Sequence, residues 1–152
     1  MPGEFTVRTE AADSLVAVRL VEAMVAEMGG LYGPGEMPTS ARPDELSPPH
    51  GAFVVLYEQG EPVAGGGVKR LEHGVGEIKR MYVVPEARSR GHARRLLEGL
   101  EDAARALGYA RLRLDTGAHQ PHAVALYESA GYRPVPDYND NPLAAYWGEK
   151  RL

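Results

Sequence analysis

The chain contains no cysteine. Disulfides, thiolate metal ligands and a cysteine nucleophile are therefore excluded. Positive charge is in deficit, with 17 Lys and Arg against 21 Asp and Glu and a net charge of −4. A protein that grips nucleic acid through a broad basic face needs many Lys and Arg contacts to phosphates, so that class is set aside. No apolar run is long enough to span a bilayer, and the opening MPGEFTVRTE lacks the basic-then-apolar layout of a secretory signal. The expectation is a cytoplasmic protein with no membrane partner. Three catalytic signatures are missing as well: a Walker loop, a Gly-x-Gly-x-x-Gly fingerprint at a strand-to-helix turn, and a Gly-x-Ser-x-Gly elbow. His119 and His122 stand three apart around Pro121 with no second ligand pair, and His50, His73 and His92 are scattered singly, so no metal site is expected. No internal repeat or low-complexity segment is present.

What remains is ordinary in bulk and specific in detail. A length of 152 residues with 43% hydrophobic and 25% charged content fits one domain, 1–152, with a continuous core that needs no staples. Residues 4–8 alternate as a short strand. Asp13 or Thr9 caps a helix running to about Met28, with Leu15, Val18, Val21, Met24 and Val25 apolar and Gly29-Gly30 as its stop. Residues 29–50 carry Gly33, Pro34, Gly35, Pro38, Pro43, Pro48 and Pro49 and read as a long loop, functional or mobile, with one helical turn near 43–46. Strands follow at 52–57 and 62–71 around a Gln59-Gly60 turn, then at 77–84 after His73-Gly74. Gly65-Gly66-Gly67 inside the second of these reads as a bulge or a close backbone approach. Leu96, Leu97, Leu100, Ala103, Ala104 and Leu107 recur at helical spacing up to Gly108, residues 111–116 alternate as a strand, and Ala123 to Tyr127 form a short helix ended by Gly131. Strands at 132–135 and 143–151 close the chain. Short turns enforce antiparallel neighbours and helical crossovers favour parallel ones, so the class is α/β with a mixed sheet.

The most informative stretch is residues 78–97, IKRMYVVPEARSRGHARRLL. A strand-like run ends at Val84-Pro85, and a turn containing Gly91 opens a helix. Glycine lets the backbone approach a ligand closely, and the first-turn N–H groups of a helix have no partners inside it. Arg88, Arg90, Arg94 and Arg95 crowd this turn, where positive charge is unfavourable for the helix dipole unless an anion is bound. Local basic clusters at 79–80, 88–95 and 105–113 suit one compact anionic ligand better than a polymer.

Three spaced features coincide. They are Met81-x-Val83-x-Pro85, Arg88-Ser89-Arg90-Gly91-His92-Ala93, and Ala123-x-x-Leu126-Tyr127-x-x-x-Gly131-Tyr132 after one intervening helix and strand. Together they resemble the GNAT superfamily of acyl-CoA-dependent N-acyltransferases over about residues 50–150, with the first strand and helix also in the expected places. The resemblance implies a single-domain GNAT-like fold, a mixed central sheet of about six to seven strands flanked by about four helices, and acetyl-CoA as cosubstrate without a metal. It implies that Met81, Tyr82 and Val83 offer main-chain groups to the pantetheine arm, and that Arg88, Ser89, Arg90, Gly91, His92 and Ala93 hold the pyrophosphate, chiefly through backbone N–H groups. Gln120, followed by Pro121, stands where many members have Asn and keeps hydrogen-bonding capacity.

Two catalytic roles are implied in the same way. Glu77, fourteen positions before Gly91, matches the place where several members keep a glutamate general base. An ammonium has no lone pair with which to attack a thioester, so a carboxylate that removes its proton is chemically sensible. Tyr127 matches the tyrosine that protonates the departing CoA thiolate, and an unperturbed phenol, with a pKa of about 10, keeps its proton at neutral pH. The expected activity is direct transfer of acetyl from acetyl-CoA to a primary amine in a ternary complex. The acceptor is expected to be a small molecule, flanked by residues 29–50 and 138–141, with Tyr32, Glu36, Asp44 and Asp140 available to a cation. The alternatives are a protein lysine or N-terminal acetyltransferase and a non-catalytic acyl-CoA-binding regulator. A homodimer is left open.

Overall fold

A computed structural model of the chain describes residues 4–32, 41–118 and 120–152, without the side chain of Tyr32. The elements are β1 (Phe5–Glu10), α1 (Leu15–Tyr32), β2 (Ala52–Glu58), β3 (Glu61–Glu72), β4 (Val75–Val83), a 3-10 turn (Pro85–Ala87), α2 (His92–Ala106), β5 (Arg111–Gly117), α3 (Pro121–Ser129), β6 (Arg133–Pro134) and β7 (Ala144–Arg151). One seven-stranded sheet has the order β1-β2-β3-β4-β5-β7-β6. The strand count agrees with expectation, whereas three α-helices are described in place of about four. Around Pro43 the chain makes turns, with Glu45 N–H on Arg42 O at 3.0 Å and Leu46 N–H on Pro43 O at 3.2 Å, and no helix follows.

β2 shows why its run AFVVLYE is almost wholly apolar: both faces are covered. Val54 and Leu56 join the larger core with Leu96, Leu97 and Leu100 of α2, while Phe53, Val55 and Tyr57 pack with Ala17, Leu20 and Met24 of α1. Two sequence expectations for α1 are corrected. Its cap is Ser14, whose Oγ accepts the Ala17 N–H at 3.1 Å, the third helical N–H that an N-cap side chain can reach. The helix also runs through Gly29 and Gly30 to Tyr32, since neither glycine adopts the left-handed conformation that turns a chain out of a helix. Leu15 and Val25, two of the apolar residues of this helix, are exposed.

The glycine run in β3 is a close approach, as its position suggested. A side chain on Gly65 would meet Leu20 Cδ1 at 2.8 Å and one on Gly67 would meet Leu46 Cδ2 at 2.6 Å, so α1 and the 43–46 turn pack directly on backbone. Opposite, β4 bulges: the β3–β4 register shifts between Gly65 and Gly67, and Arg80 takes φ 59°. The Arg80 guanidinium holds that conformation by donating to Ala41 O from Nε at 3.0 Å and Nη2 at 2.8 Å. The pairing that matters most for the site is short. β4 and β5 are parallel and pair only at Val75↔Arg111, Gly76↔Leu112 and Glu77↔Arg113. Beyond Glu77, β4 continues with β3 and β5 with β7, and the two parallel strands part.

Candidate active site

The loop at the far end of β4 has the build of an anion site. Ser89 takes φ 65° and Gly91 φ 80°, and α2 begins at His92 with its first backbone bond, Arg95 N–H to Gly91 O, at 3.2 Å. The N–H groups of the preceding turn have no place in the helix ladder. A side chain on Gly91 would meet only Arg95 Nη1 at 3.6 Å, so packing does not demand glycine there; the backbone conformation does. The arginines are committed elsewhere. Arg88 Nη2 donates to both carboxylate oxygens of Glu27 at 2.8 Å and its Nε to Val83 O at 3.0 Å. Arg90 pairs with Glu58 at 3.2 Å, Arg94 donates to Ser129 Oγ, and Arg95 donates to Arg90 O while lying 3.9 Å over the Phe5 ring. Their side chains staple the loop to α1, β2, α3 and β1, and the oriented donors in front are main-chain N–H groups.

His92 turns inward. It is 1% exposed, packs 5.3 Å from the Phe5 ring, and among the described residues neither ring nitrogen has a hydrogen-bond partner. Burial holds its pKa below the usual histidine value, against the pull of Glu58, whose Oε1 is 3.7 Å from Nε2. Of the β4 residues, Tyr82 is buried in the α1 core, and Val83 pairs with Ala64. Gln120 caps α3 and folds its carboxamide back on β5, Oε1 accepting from Thr116 Oγ1 and Gly117 N–H, both at 3.4 Å.

Two sequence-named residues lie on elements around the place where β4 and β5 part. Tyr127, 7% exposed on α3, directs its hydroxyl at Met81 Sδ, 3.8 Å away, and stacks edge-on to Tyr132 at 5.9 Å. Burial, with smaller contributions from Asp115 and Tyr146, pushes its pKa up to about 12. Glu77 is the last β4 residue to pair with β5, and it is 2% exposed. Strand alternation puts Glu77 and Lys79 on the face away from Gly76, which looks into the α2 core at Tyr109 and Leu112. Its Oε2 collects three donors: Lys79 Nζ at 3.4 Å, Tyr138 Oη at 2.8 Å and Asn139 Nδ2 at 3.3 Å. Among the described residues none engages Oε1. Asn139 Nδ2 also reaches Asp115 Oδ2 at 2.5 Å, which Asn141 Nδ2 approaches at 3.3 Å, and Trp147 Nε1 donates to Asn139 Oδ1 at 2.9 Å.

The other residues proposed for the acceptor side fare differently. Asp44 is exposed and paired with Arg42, and Asp140 is exposed with φ 53°; neither joins the polar cluster. Glu36 and His119 lie outside the described residues, as do the side chain of Tyr32 and residues 33–40. Sequence reasoning missed Lys79, Asp115 and Trp147. A signal for Asp115 existed, because it alternates with buried Leu112 and Leu114 in β5 and so had to face the other side of the sheet.

The sequence matches the family model described as Acetyltransferase (GNAT) family over residues 17–132. The chain belongs to the GNAT acetyltransferase family. It is 36% identical to the IAA acetyltransferase of Azospirillum brasilense over 93% of this chain and 94% of that protein. A Klebsiella pneumoniae structure assigned as an acyl-CoA N-acyltransferase superposes with a TM-score of 0.78 at 30% identity, covering 97% of both chains. The N-acetylglutamate synthase of Neisseria gonorrhoeae, solved with coenzyme A and N-acetyl-glutamate, gives a TM-score of 0.71 over 97% of this chain and 35% of its own, at 22% identity, which speaks for the fold. The enzyme class is thus an acyl-CoA-dependent N-acetyltransferase. The GNAT match ends at Tyr132, whereas the donors that hold Glu77 from the C-terminal side, Tyr138 and Asn139, lie beyond it.

Proposed function

We propose that this enzyme moves the acetyl group of acetyl-CoA directly onto a primary amine of a small molecule within a ternary complex, the chain acting as one catalytic unit. One observation carries the reading: a carboxylate, Glu77, and a phenol, Tyr127, flank the gap between β4 and β5, whose far end leads to the N-terminus of α2. On this reading the pyrophosphate sits on main-chain N–H groups of residues 88–93, with Met81, Tyr82 and Val83 along the pantetheine arm and Gln120 at the mouth of α3. Glu77 takes a proton from the acceptor ammonium. The freed nitrogen lone pair attacks the thioester carbonyl, forming C–N while the carbonyl electrons move to oxygen. Collapse re-forms the carbonyl and breaks C–S, Tyr127 gives its proton to the thiolate, and the second proton lost by the amide nitrogen returns through solvent to the Tyr127 phenolate. A phenol whose pKa is pushed up to about 12 stays protonated through the neutral range, as that role requires.

The polar cluster around Glu77 supports a cationic acceptor, and its enclosure supports a small one. The test is thiol release from acetyl-CoA with methylamine, tyramine, tryptamine, spermidine, lysine, glutamate and IAA, the last because the Azospirillum relative is named for it. Acetylated product found by mass detection alongside thiol release supports the reading. Tight CoA binding with no release from any acceptor points to an acyl-CoA-binding regulator.

A further inference from the structure

Asn139 is the hub of the polar cluster, and the chemistry of its neighbours fixes which way its amide points. The Trp147 indole N–H and the Asn141 backbone N–H are donors only, at 2.9 and 3.2 Å from Oδ1. The NH2 end therefore faces Glu77 Oε2 and Asp115 Oδ2, which only accept when ionised. Asp137 Oδ1 fixes the backbone beneath by accepting the Asn139 and Asp140 N–H groups at 3.0 and 2.8 Å. One amide thus spans two carboxylates on neighbouring parallel strands, at the point where their ladder ends.

We propose that Asn139 is a positioning residue for acetyl transfer: its NH2 donates to both carboxylates, holds Glu77 against Asp115, and leaves Glu77 Oε1 for the amine proton. The proposal rests on the reading of Glu77 as the base. Among the described residues, the charged and titratable groups around Glu77 are Lys79 on β4, Asp115 and Arg113 on β5, Lys69 on β3 and the Tyr138 phenol. Arg113 is paired with Glu149 and Glu72, and Lys69 with Glu45, so Lys79, Tyr138 and the Asn139 amide are what offset the two neighbouring carboxylates.

Asn139→Asp keeps the shape but replaces the shared donor with a third carboxylate, and like charges in contact favour protonation. The acidic limb of the kcat profile, read with the fastest acceptor of the panel above, should move up by about one pH unit or more. About one pH unit below the wild-type midpoint of that limb kcat should therefore fall about tenfold, while on the plateau above the limb it should return toward wild type, with the KM for acetyl-CoA unchanged. In the Glu77→Gln background the same substitution should cost nothing further, because the two act as a unit. Trp147→Phe, which removes only the N–H that orients the amide while keeping an aromatic ring, should lower kcat a few-fold and serves if Asn139→Asp does not fold. Glu77→Gln with reduced kcat beside an unmoved profile in Asn139→Asp, and unchanged kcat in Trp147→Phe, overturns this proposal and leaves the base reading standing. Wild-type kcat in Glu77→Gln overturns both.

Discussion

At the scale of single residues, the substitutions that separate chemistry from packing are small ones. Tyr127→Phe removes one hydroxyl from a buried ring whose only polar contact among the described residues is Met81 Sδ, so the fold keeps its packing. If that hydroxyl protonates the thiolate, kcat should drop about 10² to 10⁴-fold while the Kd for CoA, measured by calorimetry, stays the same. Gly91 tests the other end of the gap. Its open surroundings admit a side chain, but its φ of 80° and the N–H groups beside it do not suit an acidic one. Gly91→Glu should therefore cost about 1–2 kcal/mol of stability and abolish CoA binding by intrusion and like-charge repulsion. A folded Gly91→Glu protein that binds CoA with wild-type affinity in the calorimeter would remove the loop from the cofactor site.

At the scale of elements, the frame around the site is held by a few polar ties. Ser14 closes the N-terminus of α1, and Ser14→Ala should lower stability by about 1 kcal/mol, visible as a shift in urea midpoint with an unchanged slope. Glu101 of α2 is buried and takes three contacts, from Tyr132 Oη at 2.9 Å and from Lys150 Nζ of β7 at 3.0 and 3.1 Å. This ties α2 to the strand that carries Trp147. Lys150→Met leaves a buried carboxylate with one donor. Because Lys150 is partly exposed, the expected cost is about 1–3 kcal/mol, below that of a fully enclosed pair.

For the whole molecule, burial sets the pH range of stability. Seven of the eight tyrosines have raised pKa values, with burial the first cause in each, and Tyr132 and Tyr138 are the most affected because buried or neighbouring Glu101 and Glu77 add to it. A raised pKa means that the folded state keeps a proton which the unfolded chain releases near pH 10. The contribution is therefore complete below about pH 10 and lost as pH rises toward the folded value. For Tyr127 alone, from about 10 to about 12, that amounts to roughly 2–3 kcal/mol. Urea midpoints should hold steady to about pH 9.5 and then fall, less steeply in Tyr127→Phe; a midpoint flat from pH 10 to 11.5 would contradict this. His92 acts at the other end. Its folded pKa lies below 6.5, so stability present above the unfolded value is lost as pH falls from about 6.5 through the folded one.

What the sequence by itself determined was local. Strand alternation, the helical recurrence from Leu96 to Leu107, the glycine stops at 108 and 131 and the turn before His92 follow from the covalent limits of each residue and from two simple periods, so their order and the α/β class were legible. The three spaced motifs carried the family because they lie in short, contiguous stretches. The cap of α1 was expected at Asp13 or Thr9 and lies at Ser14, because the position of the donor N–H, which the residue types do not show, decides it. The polar cluster was beyond reach for a different reason. Glu77, Asp115, Asn139 and Trp147 belong to β4, β5, a loop and β7, and only the register of the sheet brings them together. The same holds for the arginines around the turn before α2: nothing in their local stretch points to Glu27 and Glu58 as the partners of Arg88 and Arg90. Chain connectivity decides which elements form; the free energy of pairing and of satisfying buried charge decides which side chains meet.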